Sequence, residues 1–257
     1  VLRKLAIVTV LFCLCAPAVL AQSLYFPARN DVQAGVTAAN IPISLDVAGI
    51  HVATGDFDGD GALDAVATVR LGEPEGGDPS ATDDEVIFVY PGDGRGLFLA
   101  PTVLALPRGT FPGAVVTGNF DDDSDLDLAV AVEDIDGTAA AGDDGGVLVF
   151  EGDGAFGFTL AQTLTGELAA SGLTGLAAGA LTGDSIDDLV LLNSASDTFT
   201  VFTSPGFGGS SNATCGGPVA LDLGNLDATP TLLDMAIACD PASGDDTMRT
   251  YRGDGAG

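Results

Sequence analysis

The chain has 257 residues, with 37 Asp and Glu against 8 Lys and Arg, and a formal charge of −29. Such a charge repels nucleic-acid phosphates and anionic membranes, which argues against both as partners. One histidine, three tyrosines and no tryptophan leave no histidine pair for a base or ligand set and poorly supply a sugar-stacking platform.

Val1 to Ala21 reads as a secretory signal peptide, with Arg3 and Lys4 at its charged start. Leu5 to Cys15 is its apolar stretch, and Val19-Leu20-Ala21 its small-residue cleavage site. The apolar run is short for a bilayer span, which needs about 20 residues. Export follows as the expectation, to the medium or the cell surface, with no membrane insertion after cleavage. Cys13 and Cys15 leave with the signal.

From Gln22 onward the chain is long enough for one large core. Its apolar runs are short, rich in Val, Leu, Phe and Ala, and bounded by Gly, Asp and Pro, so the expected class is all-β. The first set of strands is Gly49–Thr54, Asp64–Val69, Glu85–Tyr90 and Thr102–Leu106. The set recurs as Gly113–Thr117, Asp127–Val132, Gly146–Phe150 and Thr159–Leu164. A third set is Gly175–Ala178, Leu189–Leu192 and Phe199–Thr203, and a fourth is Val219–Leu223, Met235–Cys239 and Met248–Tyr251. No long segment shows helical periodicity. Units of about four antiparallel strands are the pattern of propeller blades. The four units run approximately 22–106, 107–165, 166–215 and 216–257, and they predict an incomplete ring.

The loop between the first two strands carries the chemistry. Asp56, Asp58, Asp60 and Asp64 fall at alternating and closing positions, with Gly59 and Gly61 between them. Ca²⁺ takes six to eight oxygens, and short carboxylates spaced in this way on a tight loop can converge on one ion. A backbone carbonyl near Ala62 completes the set, and Gly61 marks the sharp turn. Phe57 and Leu63 alternate with the ligands and are expected to face a core. An EF-hand does not fit, because its twelfth position needs Glu and here holds Ala67. A second copy aligns without a gap: Asn119, Asp121, Asp123 and Asp127, with Asp125 at the place of Ala62. A third copy keeps only Asp184 and Asp188 of the carboxylates. A fourth, with Asn225, Asp227 and Asp234, has one extra residue and contains Pro230.

A second marker follows the third strand. Gly92-Asp93-Gly94 recurs as Gly152-Asp153-Gly154 and Gly253-Asp254-Gly255, a tight turn in which glycine supplies φ > 0. Arg252-Gly253-Asp254 also spells an adhesion tripeptide, but the repeat accounts for it better.

With these loops and turns in view, the chain resembles the FG-GAP/VCBS repeat family, the secreted bacterial relatives of the integrin α-subunit propeller. Gly55–Val66, Gly118–Val130 and the Gly-Asp-Gly turns carry the resemblance, and Phe111-Pro112-Gly113-Ala114 echoes it. It implies a β-propeller, commonly of seven blades, with Ca²⁺ in the loop between the first two strands of certain blades. About four units are present, too few for such a ring. It also implies one Ca²⁺ site at Asp56, Asp58, Asp60 and Asp64, and another at Asn119, Asp121, Asp123 and Asp127. The third and fourth loops depart from the pattern.

Cys215 and Cys239 are expected to form a disulfide across the fourth hairpin, the alternative being two buried thiols. The acidic stretches Gly72–Asp84 and Glu133–Gly145 read as solvated excursions that could hold further cations. No nucleophile elbow or His-Glu-x-x-His pair is present, and paired carboxylates are explained by the metal loops, so no catalytic residue is assigned. The expected function is a calcium-stabilised module for adhesion or scaffolding, with a protein or glycan as partner. The alternatives are the propeller part of an extracellular polysaccharide lyase or phospholipase, and a lectin. The Gly-Asp-Gly turn at Gly253 stops short of the Phe that follows its copies, which predicts that the natural chain continues.

Overall fold

The computed structural model describes residues 47–71, 85–107, 110–135, 145–165, 172–227, 232–242 and 244–253. The signal peptide, Gly72–Asp84, most of the second acidic stretch, Pro230 and Asp254 lie outside these residues. The described residues contain fifteen strands and no helix.

The first blade is β1 (Val47–Gly55), β2 (Asp64–Leu71), β3 (Glu85–Tyr90) and β4 (Thr102–Ala105). The second is β5 (Pro112–Gly118), β6 (Asp127–Val132), β7 (Gly146–Gly152) and β8 (Phe158–Leu164). The third is β9 (Leu173–Gly179), β10 (Asp188–Asn193), β11 (Thr198–Thr203) and β12 (Gly208–Ala213). The fourth is β13 (Pro218–Gly224), β14 (Asp234–Cys239) and β15 (Thr247–Tyr251). Each blade is an antiparallel meander with its strands in sequence order. Together they make four sheets in a ring, the arrangement of a four-bladed β-propeller. The innermost strands β1, β5, β9 and β13 line one central cavity of about 330 Å³.

The burial pattern explains the strand composition. A middle strand lies between two neighbouring blades and has no wet face, so β6 and β10 are buried at every residue. That is why Leu128-Ala129-Val130-Ala131-Val132 and Leu189-Val190-Leu191-Leu192 are unbroken apolar runs rather than alternating ones. An outer strand has no such duty. All six residues of β12, Gly-Gly-Ser-Ser-Asn-Ala, are exposed, and the sequence reading missed this strand because it has no apolar signature.

Three cores lie between consecutive blades. Phe57, Val66, Ile87 and Val89 meet Val115, Leu128, Val130 and Leu148. Ala129, Val147 and Val149 meet Leu176, Leu189 and Leu191. Val190, Leu192, Phe199 and Val201 meet Met235 and Ile237. Burying a Val, Leu, Ile or Phe side chain is worth about 1.5–3 kcal/mol, so these interfaces are the main source of cohesion between blades. Polar ties add to them: Thr117 Oγ1 donates to the Thr54 carbonyl at 3.1 Å, and Thr68 Oγ1 to that of Gly113 at 2.8 Å.

The fourth blade carries the expected Cys215–Cys239 disulfide, with Cα atoms 6.1 Å apart. Pro218 pairs with Cys239, and the Asp240 N–H donates to the Gly217 carbonyl. That turn brings Cys215, which precedes its strand, back over the hairpin.

Candidate metal centre

One aspartate in each blade opens the second strand and is buried: Asp64, Asp127, Asp188 and Asp234. Each spans the blade with both carboxylate oxygens. Asp64 Oδ2 accepts from the Phe57 N–H at 2.8 Å and Oδ1 from the Gly92 N–H at 2.7 Å. Asp127 does the same with Phe120 at 2.7 Å and Gly152 at 2.9 Å. Asp188 accepts from Leu181, Thr182 and Ser204, and Asp234 from Leu226 and Gly253. The carboxylate thus ties the start of the loop to the turn after the third strand, and satisfies backbone donors that would otherwise be stranded.

The turn glycine is required by this staple. A Cβ on Gly92, Gly152 or Gly253 would collide with the carbonyl oxygen of Leu63, Leu126 or Leu233, the residue just before each aspartate. Gly253 is therefore engaged in the fourth blade, which fits the repeat reading of Arg252-Gly253-Asp254. Beside it, the aspartates of the first two turns cap their own loops. Asp93 Oδ1 accepts from Arg95 at 2.8 Å and Leu97 at 2.9 Å. The Leu97 and Arg95 N–H groups hold its carboxyl below the ordinary range. Asp153 repeats the arrangement with Ala155 and Gly157.

The outer part of the first loop gathers charge. Asp56, Asp58 and Asp64 each offer one oxygen, and the three lie within 4.8 Å of one another. At that separation each pair of carboxylates repels by about 3 kcal/mol at an effective dielectric of about 20. The backbone bends tightly here, with φ of 70° at Gly59 and 84° at Gly61. Asp56 Oδ2 accepts from the Gly61 N–H, and Asp58 Oδ1 from that of Asp60. Asp60 stands outside the converging set, and its Oδ1 accepts from the Ala62 N–H at 2.7 Å. Asp56 Oδ1 is different: it is buried and has no hydrogen-bond partner.

The second loop keeps the same plan with a different closure. Asp121 Oδ1 accepts from the Asp123 N–H and Asp123 Oδ1 from that of Asp125, each at 2.8 Å. Asn119 Nδ2 donates to the Asp123 carbonyl, and Asn119 Oδ1 is buried without a partner. Asp122 and Ser124 occupy the places of Gly59 and Gly61 but do not take positive φ. Asp121, Asp123 and Asp127 do not converge to the 4.8 Å reached in the first loop. Burial pushes the Asp127 carboxyl up to about 6, and the nearby Asp121 and Asp123 charges add to this against the Gly152 and Phe120 N–H bonds.

Asn119 is also held from the next blade. Its N–H donates to Asp187 Oδ2 at 3.1 Å, and the Asp187 N–H returns a bond to its carbonyl at 2.7 Å. Nothing local in the sequence announces this tie.

Among the described residues the remaining loops show no such acidic cluster. In the third, Asp184 Oδ1 accepts from Thr182 Oγ1 at 2.9 Å, and Ala180 supplies no side-chain oxygen. In the fourth, a cation is already supplied by the chain: Arg252 Nε lies 2.8 Å from Asp227 Oδ2. Asp227 is the counterpart of Asp58 and Asp121, so a guanidinium sits at a carboxylate whose counterpart in the first loop, Asp58, belongs to the converging set.

Two expectations are corrected. Leu63 does not face a core but is exposed, because its counterparts Leu126 and Leu233 pack on a preceding blade and none precedes the first blade among the described residues. Asp64 and Asp127 are more than candidate ligands, since backbone N–H groups engage both oxygens of each. His51 is exposed on β1. No model of a known protein family matches the chain, and no curated protein matches it.

Proposed function

We propose that the chain is a secreted, calcium-binding β-propeller of the FG-GAP/VCBS type that serves as a binding or scaffolding module for a protein or glycan. The observation that carries the calcium reading is the repeated orphan oxygen. Asp56 Oδ1 and Asn119 Oδ1 hold the same place in two loops, and both are buried without a partner. An unsatisfied buried acceptor costs about 1–3 kcal/mol. Two at equivalent positions, each beside further carboxylates, suit a cation better than chance. In the first loop Asp56, Asp58 and Asp64 would hold it, with Asp60 and the Ala62 carbonyl at its rim. In the second, Asn119, Asp121, Asp123 and Asp127 would do so, with Asp125 at the rim.

Hard oxygen donors of this kind favour Ca²⁺ over softer metals. The ion would neutralise the loop and hold the first two strands of the blade together, a structural role. The loops then present a fixed surface. The disulfide is compatible with export. Calcium titration calorimetry on the mature protein tests the reading, with Asp58→Ala and Asp121→Ala each expected to remove one site. Absence of binding at about 10 mM Ca²⁺, above the weakest extracellular modules at ~10⁻³ M, overturns it.

A further inference from the structure

The second and third blades meet less completely than the first and second do. In the first interface the turn between Gly152 and Phe158 sends two rings, Phe156 and Phe158, against the core. Phe158 meets Phe57 there edge-on, with centroids 5.5 Å apart. The third blade turns more sharply, through Pro205-Gly206 between Ser204 and Phe207. It sends Phe207 to meet Phe120 at 6.4 Å, with no counterpart of Phe156 beside it. An open cleft of about 70 Å³ lies at this interface. Phe120, Pro205 and Phe207 wall it, and Asp121, Glu151 and Gln162 supply its polar groups.

The backbone is arranged so that these polar groups reach the cleft. Val149 and Glu151 line it together, as alternate residues of one strand do. Ala161 and Gln162 are consecutive, yet both line it. The register explains this: Val149 pairs with Gln162 and Phe150 with Leu160, so Ala161 is the extra residue of a bulge. Such a bulge re-aims the side chains beside it. In the first blade Pro91 holds the place of Glu151, and Thr102, which pairs with Val89, holds that of Gln162. The carboxylate and the amide therefore belong to this interface and not to the repeat. Glu151 and Gln162 are exposed and Phe207 is half-buried. The opposite wall is fixed by the staple, since the Ser204 N–H donates to Asp188 Oδ1 at 3.0 Å. No Lys or Arg is among the residues that line the cleft.

We propose that this cleft takes the guanidinium of an arginine presented by a protein partner, with Glu151 as counter-ion, the Gln162 carbonyl accepting beside it and the Phe207 ring against its face. A planar guanidinium pairs with a carboxylate through two N–H groups, stacks on an aromatic ring, and is less strongly hydrated than the lysine ammonium. Asp121 and Glu151 bring two carboxylates to an apolar-walled cleft that holds no base, which favours a cation over a neutral sugar. The charge of −29 on the whole chain steers a basic partner towards it. Asp121 Oδ1 already accepts from the Asp123 N–H at 2.8 Å, so recognition falls chiefly to Glu151. That residue lies outside the metal loop and keeps its charge whether or not Ca²⁺ is bound. The inference rests on the reading of the chain as a binding module and names the chemistry of its partner, but it does not need the metal.

The test titrates the isotope-labelled mature protein with the capped peptide acetyl-Gly-Arg-Gly-amide to millimolar concentration, in Ca²⁺ and in chelator, and follows the amide NMR signals. Saturable shifts centred on Glu151, Gln162 and Phe207 are expected in both buffers, and the same peptide with citrulline in place of arginine gives none. Glu151→Gln weakens binding about tenfold. Its circular dichroism and its Ca²⁺ titration match those of the parent protein, because Glu151 is exposed and is not a ligand of the loop. Shifts that spread over the acidic loops and persist in Glu151→Gln show a general attraction of charge and overturn the proposal. A response to methyl β-glucoside without one to the arginine peptide also overturns it, and assigns the cleft to glycans. A protein that binds Ca²⁺ at both loops and gives no shifts with the peptide overturns it too, while the calcium reading stands.

Discussion

Asp188→Ala tests whether the buried aspartate, rather than a metal, holds a blade together. Asp188 is fully buried, and its blade lacks the acidic cluster of the first loop. It accepts from Leu181 at 3.0 Å, Thr182 at 2.8 Å and Ser204 at 3.0 Å. Alanine strands all three donors. The N–H of half-buried Thr182 can turn to water, but Leu181 and Ser204 are buried. Two stranded donors at about 1–3 kcal/mol each give a loss of about 4 kcal/mol. That is a large part of a total stability of about 5–15 kcal/mol, and at about 2–4 °C per kcal/mol it lowers Tm by about 12 °C. Asp188→Asn keeps one acceptor and turns an amide donor towards the remaining N–H groups, so its loss is intermediate. Asp184→Ala, on an exposed side chain, costs less than about 1 kcal/mol. Urea unfolding followed by circular dichroism measures all three, in Ca²⁺ and in chelator. An Asp188→Ala loss under about 1 kcal/mol, or one that appears only in Ca²⁺, refutes the staple.

Three further outcomes follow from the loops and the fourth hairpin. Asp58→Ala lowers Tm in millimolar Ca²⁺ more than Asp184→Ala does, and excess chelator erases most of the difference; thermal scans of the two variants in both buffers check it. In the metal-free protein Asp127 titrates near 6 against an ordinary 3.8, so its stabilising contribution is complete below about pH 3.8 and is lost as the pH rises through about 6. Carboxyl NMR reads the titration directly, and Ca²⁺ moves it to lower pH because the ion competes with the proton. Breaking the Cys215–Cys239 bond, which closes a loop of sequence separation 24, costs about 3 kcal/mol, read as the shift in urea midpoint on adding reductant.

The blade plan was legible because its signals are local. Asp-rich loops, Gly-Asp-Gly turns and apolar runs recur at fixed offsets, and fourteen of the strands coincide with runs read from sequence. β12 was not, since an outer strand of Gly, Ser and Asn buries nothing and so selects for nothing apolar. The roles of individual aspartates were harder to read. A ligand and a backbone-capping carboxylate are the same residue type in the same loop, and spacing does not separate them. The distinction lies in distant donors: Gly92 is 28 residues from Asp64, and Gly152 is 25 from Asp127. Leu63 was misplaced for a related reason. Its alternation with Phe57 is real, but whether an outward face is covered depends on the neighbouring blade.

Separating the staple from the ion accounts for how the loops diverge. The staple sits at the same place in all four blades and draws only on backbone donors, so the side chains of the outer loop are free to change around it. Where they keep carboxylates, as at Asp56 and Asp58, the loop carries charge repulsion that a cation can relieve. Where they lose them, as at Ala180, the repulsion goes too, and nothing is left for a cation to relieve. The fourth blade takes a different course, retaining Asp227 and setting Arg252 against it. Arg252→Gln therefore leaves Asp227 without that guanidinium while Asp234 still binds Leu226 and Gly253. Because an exposed ion pair is worth about 0–1 kcal/mol, the variant folds with little change in Tm. If the retained carboxylate is what Ca²⁺ needs, the variant takes up the ion more strongly than the parent protein at the fourth loop, seen as perturbed amide NMR signals of Asn225 and Leu226 on titration. Unchanged signals there, with binding intact at the first two loops, show that the loop geometry and not the arginine keeps the ion out.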